Sequence, residues 1–242
     1  MSSPKPATSI RDAGFTVHGQ TENESQWGQA MDVSENLIMA ALLECCPVIQ
    51  YRVLRCSGIL DDLKPLCAED LLAFAGKDPA SGNDIEIIAR TSTSYAAVLH
   101  YRVANWISAC CGTPEKAMLA ALITRRGKLL SGAEIHFNSR IGRRFVLDHG
   151  YGTVIGETSV IGDDCYILGG VTLGSRLIAA NTQGPRHPNL GDRVQVGMNS
   201  SLLGHIRIAD DVFIGSGCLV TQDVPAGQKI TLPKGQNVSH LE

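Results

Sequence analysis

Between residues 135 and 225 an aliphatic residue returns every six positions, and no other feature of the chain restricts its fold as strongly. Ile135, Ile141 and Leu147 begin the series, and Ile155, Ile161, Ile167 and Leu173 resume it. Leu190, Val196, Leu202, Ile208, Ile214 and Val220 complete it, so thirteen slots hold thirteen aliphatic residues. Glycine often follows, as at Gly142, Gly156, Gly162, Gly174, Gly191, Gly197 and Gly215. A six-residue repeat matches neither the stripe of a helix nor the alternation of a simple strand. It is the signature of a hexapeptide parallel β-helix, in which three hexapeptides make one triangular coil. Each aliphatic residue points into the prism, and small residues allow the tight corners. The coils must stack, because none buries its apolar side alone.

The series breaks twice. Leu147 and Ile155 are eight positions apart, and Leu173 and Leu190 are seventeen apart, so eleven extra residues leave the coil as an arm. The first break contains Asp148-His149-Gly150-Tyr151-Gly152, and the second ends in Arg186-His187-Pro188. Insertions in repeat proteins gather on the binding face. Two interruptions that each set a histidine beside a charge mark a candidate site.

The chain of 242 residues is 44% hydrophobic and 19% charged, a globular balance for one large domain or two small ones. Its formal net charge of −3 offers nucleic acid no basic face. Neither a bilayer-spanning apolar run nor a polybasic anchor points to a membrane. The eight cysteines include the adjacent pairs Cys45-Cys46 and Cys110-Cys111 but no CxxC. They read as reduced, largely buried thiols, with Cys165 and Cys218 filling coils, which is the usage of a cytoplasmic protein. Residues 1–25 are polar and aperiodic, lack a signal-peptide core, and are expected to form a flexible tail.

From 26 to 130 the spacing becomes helical. Helices are expected over 32–46, stopped by Pro47, over 48–56, and from Pro65 to Gly76, followed by a turn at 77–82. A long helix over 94–111 carries Tyr95, Val98, Leu99, Arg102, Val103, Trp106 and Ile107 on a stripe suited to core packing or subunit contact. Thr113-Pro114-Glu115 caps a last helix. The fold class is therefore α+β, with a tail (1–25), a helical domain (26–130), a β-helix (131–227) and a C-terminal tail (228–242).

A histidine beside a carboxylate in a register break suits proton transfer, which makes His149 the candidate general base. Glu134 precedes it by fifteen residues, close to the eighteen-residue coil, and is expected to stack near His149 and orient it. Arg186 suits a planar carboxylate. Asp78, Asp148 and His187 are weaker signals singly, and Asp78 could simply begin the turn before Pro79. His100, His136 and His205 read as structural, and no histidine spacing favours a metal.

These residues resemble the serine O-acetyltransferases, left-handed β-helix enzymes that open cysteine biosynthesis. Val146-Leu147-Asp148-His149-Gly150-Tyr151-Gly152-Thr153-Val154-Ile155-Gly156-Glu157-Thr158 is similar to the family's LDHxxGxVxGET signature. Gly170-Val171-Thr172-Leu173-Gly174 resembles its SVTLG, and Arg186-His187-Pro188 its RHP. Lys77-Asp78-Pro79-Ala80 resembles its RDPA turn, and Tyr101-Arg102 the YR of its last long helix. The resemblance implies that His149 deprotonates serine as it attacks acetyl-CoA in a ternary complex, without a metal. It implies that Asp78 and Asp148 hold the ammonium, and that Arg186 and His187 hold the carboxylate. It also implies CoA between neighbouring prisms of a homotrimer or dimer of trimers, near Gly174, Gly197, Gly204 and Gly215.

Four departures stand out. Glu134 replaces the usual Asp, the arm Ser175–Pro185 is longer, the helical domain is shorter, and Lys229–Lys234 replaces the usual segment after the last coil. The isoleucine-ended tail that docks the family into cysteine synthase has no counterpart here, which leaves that partnership open. The principal alternative is acylation of another small hydroxy amino acid, such as homoserine or a serine derivative. A sugar-nucleotide N-acetyltransferase, a trimeric scaffold and a zinc-dependent anhydrase-like prism are the other readings.

Overall fold

A computed structural model describes residues 18–110, 113–179 and 183–233. Six α-helices precede a triangular parallel β-helix, in agreement with the expected fold class. The helices are α1 (His18–Cys45), α2 (Val48–Arg55), α3 (Ile59–Lys77), α4 (Ile85–Thr91), α5 (Thr93–Cys110) and α6 (Pro114–Ser131). Among these residues no helix is long and apolar enough to cross a membrane.

The helical boundaries differ from expectation at several points. The first helix already begins at His18, inside the stretch read as a tail, while residues 1–17 lie outside the described residues. The third begins at Ile59 and runs through Pro65. Proline inside a helix removes a backbone donor; Leu63, in the turn before it, and Ile59, one turn earlier, are both buried. The short helix α4 was not anticipated, although Asp84 caps it by accepting from Glu86 N at 2.8 Å. Thr113 occupies the N-cap of α6 with no side-chain hydrogen bond, and Pro114 opens that helix.

The prism has three faces. The first stacks β1 (Glu134–Ile135), β4 (Val154–Ile155), β7 (Thr172–Gly174), β10 (Ser201–Leu203) and β13 (Leu219–Val220). The second stacks β2 (Arg140–Ile141), β5 (Val160–Ile161), β8 (Asn189–Leu190) and β11 (Arg207–Ile208). The third stacks β3 (Val146–Asp148), β6 (Tyr166–Leu168), β9 (Gln195–Val196), β12 (Phe213–Ile214) and β14 (Lys229–Ile230). All pairings are parallel, and aliphatic stacks on aliphatic, as in Ile135↔Ile155 and Ile155↔Leu173. All thirteen periodic residues are buried, and Phe145, Cys165, Val194 and Val212 fill one interior corner. The strand β14 carries the prism past residue 227 into the expected C-terminal tail, and residues 234–242 lie outside the described residues.

The first coil of a solenoid has no coil above it, so its backbone groups need other partners. Here α5 supplies them. Tyr101 donates to Ser139 O (2.8 Å) and accepts from Ile141 N (3.1 Å). Arg102 donates to Ile141 O and Gly142 O, each at 2.5 Å, and Asn105 to Phe137 O and Ser139 O. The buried guanidinium is neutralised by buried Asp70 of α3 at 2.8 Å, and Asp70 also accepts from Phe145 N at 2.9 Å. The stripe on α5 is thus core packing that locks the helical domain onto the prism.

Candidate active site

The two register breaks fall on different corners of the prism, one on each edge of the first face. Where the third face turns into the first, β3 ends at Asp148 and the chain reverses through His149, whose φ of 50° is left-handed. A non-glycine residue there is uncommon and held by its surroundings. Gly150 N donates to Ser94 Oγ of α5 at 2.9 Å. Gly169 lies beneath in the next coil, where a β-carbon would stand 1.8 Å from His149 O. The backbone is pinned while the imidazole is left free, with its side chain 77% exposed and Nε2 3.8 Å from Asp148 Oδ1.

The other oxygen of Asp148 accepts from Tyr166 Oη at 2.6 Å. Across the cleft, Asp78 caps a 3-10 turn (Pro79–Ser81) by accepting from Ala80 N at 2.9 Å. Asp78, Asp148, His149, Ser94, Tyr151 and Tyr166 all line one cavity of about 450 Å³ between the helical domain and the prism. Two carboxylates with a free imidazole suit a cationic group joined to a proton-bearing nucleophile.

On the opposite edge of the first face the arm ends at Arg186-His187, and each residue of Gly156-Glu157-Thr158 serves it. Glu157 accepts from Arg186 Nη2 at 2.5 Å, and that bond holds the Glu157 carboxyl below the usual carboxylate range. Thr158 Oγ1 accepts from Arg186 N (3.0 Å) and His187 N (3.2 Å). Thr158 N donates to His187 Nδ1 at 3.1 Å, which assigns the ring proton to Nε2. A β-carbon at Gly156 would sit 2.2 Å from the His187 ring, so this glycine makes the room. Burial, then the charge of Arg186, lowers the His187 pKa and keeps the ring neutral.

His136, read from sequence as structural, belongs to this second cluster. It stacks on Phe137 at 4.6 Å, and burial lowers its pKa against the pull of Glu157. Glu134 is held by an ion pair with Lys128 and forms none with His149; the structure does not bring the expected dyad together. Gly197 and Gly215 lie on the His149 corner, in coils below it. Gly174 and Gly204 lie on the Arg186 corner, where Gly204 N donates to Gly174 O at 2.9 Å.

Ser94, Tyr166, Thr158 and Glu157 were not singled out from the sequence as site residues. Tyr166 lies one coil below Val146, and no count marks it as a partner of Asp148, because the insertion makes that coil twenty residues long. Among the described residues no group of three or more His, Cys, Asp or Glu side chains is arranged to hold a metal.

The chain is similar to proteins of known family. Residues 187–222 match the family described as "Bacterial transferase hexapeptide (six repeats)". The chain is 39% identical to the serine acetyltransferase of Synechococcus elongatus over 163 residues, 67% of this chain and 63% of that protein, so the match spans less than two thirds of that relative. It is 37% identical over 163 residues to the serine acetyltransferase of Helicobacter pylori, covering 67% of this chain and 91% of that protein. The crystal structure of Neisseria gonorrhoeae serine acetyltransferase in complex with serine superposes with a TM-score of 0.70 at 28% identity, over 84% of this chain and 83% of that one.

Proposed function

Because the chain belongs to the serine acetyltransferase family, we propose that it transfers the acetyl group of acetyl-CoA to the hydroxyl of L-serine. One observation carries this reading: Asp78, Asp148 and His149 converge in a single cavity, with the imidazole free of other partners among the described residues. His149 takes the hydroxyl proton as the oxygen attacks the thioester carbonyl. The C–S bond then breaks, and the departing thiolate takes up a proton. General-base help of this kind contributes roughly 10²–10⁴-fold, with positioning of the two substrates supplying more. Asp78 and Asp148 hold the ammonium. Glu134 is paired with Lys128 through one carboxylate oxygen; among the described residues the carboxylate within ion-pair reach of the imidazole is Asp148.

Arg186 and His187, assigned to the substrate carboxylate, sit on the other edge of the first face. A homotrimer unites the halves, because the His149 corner of one prism then meets the Arg186 corner of the next. The outward row of the first face supports this, with Val154 and Leu219 exposed. The pantetheine arm of CoA would follow the His149 corner down past Gly197 and Gly215, where Met198 is exposed. A second reading, acylation of a larger hydroxy amino acid, draws on the cavity itself, since about 450 Å³ exceeds the needs of an acceptor as small as serine.

The test is CoA release from acetyl-CoA with a panel of amino acids, wild type beside His149→Ala. Preference for L-serine, lost in the variant, is the expected result. Preference for another hydroxy amino acid selects the second reading. Equal rates for both proteins would remove His149 from the mechanism.

A further inference from the structure

We propose that Tyr166 is a positioning residue of this reaction, its hydroxyl holding the Asp148 carboxylate so that the second oxygen faces the acceptor ammonium and His149. The proposal rests on the acyl-transfer reading above and deepens it.

Tyr166 starts β6, directly below Val146 in the parallel register Val146↔Tyr166, Asp148↔Leu168. The two-residue insertion lengthens this coil to twenty residues, so Leu168 and not Tyr166 lies beneath Asp148. The phenol therefore reaches diagonally, a distance an aromatic side chain spans, and closes on Asp148 Oδ2 at 2.6 Å. That length is typical of a charge-assisted bond from a hydroxyl to a carboxylate.

The rest of the cavity gives the bond its significance. Asp148 is half-buried, and among the described residues no other side chain donates a hydrogen bond to it. Without Tyr166 its χ angles would be set only by a 3.8 Å approach to an exposed imidazole. Burial, then Asp148 and Asp78, push the phenol pKa above its ordinary value, so the hydroxyl keeps its proton and acts as a donor. Tyr166, with Lys77 and Val146, borders both the acceptor cavity and a second one of about 720 Å³ beneath α3. It thus contributes a fixed edge and an obligate donor to the ammonium pocket.

The experiment is a steady-state comparison of wild type, Tyr166→Phe, Asp148→Asn and the double variant, with L-serine and acetyl-CoA varied separately. Tyr166→Phe keeps the ring and removes only the hydroxyl. KM for L-serine should rise roughly ten-fold and kcat should fall several-fold, while KM for acetyl-CoA and the melting temperature hold. The double variant should be no worse than Asp148→Asn alone, because the hydroxyl acts through that carboxylate. Unchanged serine kinetics in Tyr166→Phe, fully additive losses, or a lowered melting temperature with both KM values raised together would each overturn the proposal. A wild type silent with every hydroxy amino acid would instead overturn the acyl-transfer reading beneath it.

Discussion

His149, the proposed base, combines a left-handed backbone and fixed neighbours with a free ring. Other histidines of this chain are placed the opposite way. His100 is buried, its Nδ1 lies 2.6 Å from Ala96 O, and its Nε2 has no partner. Burial lowers the pKa of His100, and likewise of His136 and His187. The unfolded chain therefore binds protons more readily than the folded one just below the ordinary imidazole value of about 6.5. Stability from these groups is fully present above that value and is lost as pH falls through the lower folded values. Melting curves from about pH 7 to pH 5 should show a falling transition temperature, and His100→Leu should flatten part of the slope. A slope of opposite sign would mean that these rings are protonated in the folded state.

At the scale of elements, the contact between α5 and the first coil decides whether the prism is capped. Removing one partner of a buried ion pair strands the other charge, at a cost of about 3–5 kcal/mol. Arg102→Met should destabilise the protein by that amount in denaturant titrations, and Arg102→Lys should rescue it poorly, because an ammonium cannot span Asp70 and two carbonyls. The corner below His149 makes a sharper demand. Gly169→Ala forces a β-carbon against the His149 carbonyl, so the coil must shift. Its expected cost is about 1–3 kcal/mol of stability, accompanied by a drop in CoA release larger than the remaining folded fraction explains. Activity proportional to folded protein would show that the corner yields without moving His149.

At the scale of the whole molecule, the separation of the two histidine clusters is the decisive fact. Each edge of the first face carries half of the proposed site, so assembly and activity should fail together. Leu219→Arg on the exposed outward row should lower the sedimentation coefficient and abolish turnover while leaving the far-ultraviolet circular dichroism intact. Co-assembly of His149→Ala with Arg186→Ala subunits tests the division directly. In random mixed trimers roughly a quarter of the interfaces unite two wild-type halves, and activity should return to about that level. No recovery in verified mixed trimers would place both halves within one subunit.

The sequence alone determined the prism, because a six-residue period with buried aliphatic slots has no other regular solution. It also marked His149 and Arg186-His187 as candidates, because a register break is visible as a count. Three matters were decided only by tertiary structure, each for the same physical reason: contact across a stack depends on side-chain direction, which spacing does not record. The Asp70–Arg102 clasp joins residues 32 apart on separate helices. Glu134 meets Lys128 instead of His149, since β1 carries it outward from the first face beside the end of α6. Tyr166 lies beneath Val146 and reaches Asp148 diagonally, a contact set by the direction of the phenol and not by its place in the repeat.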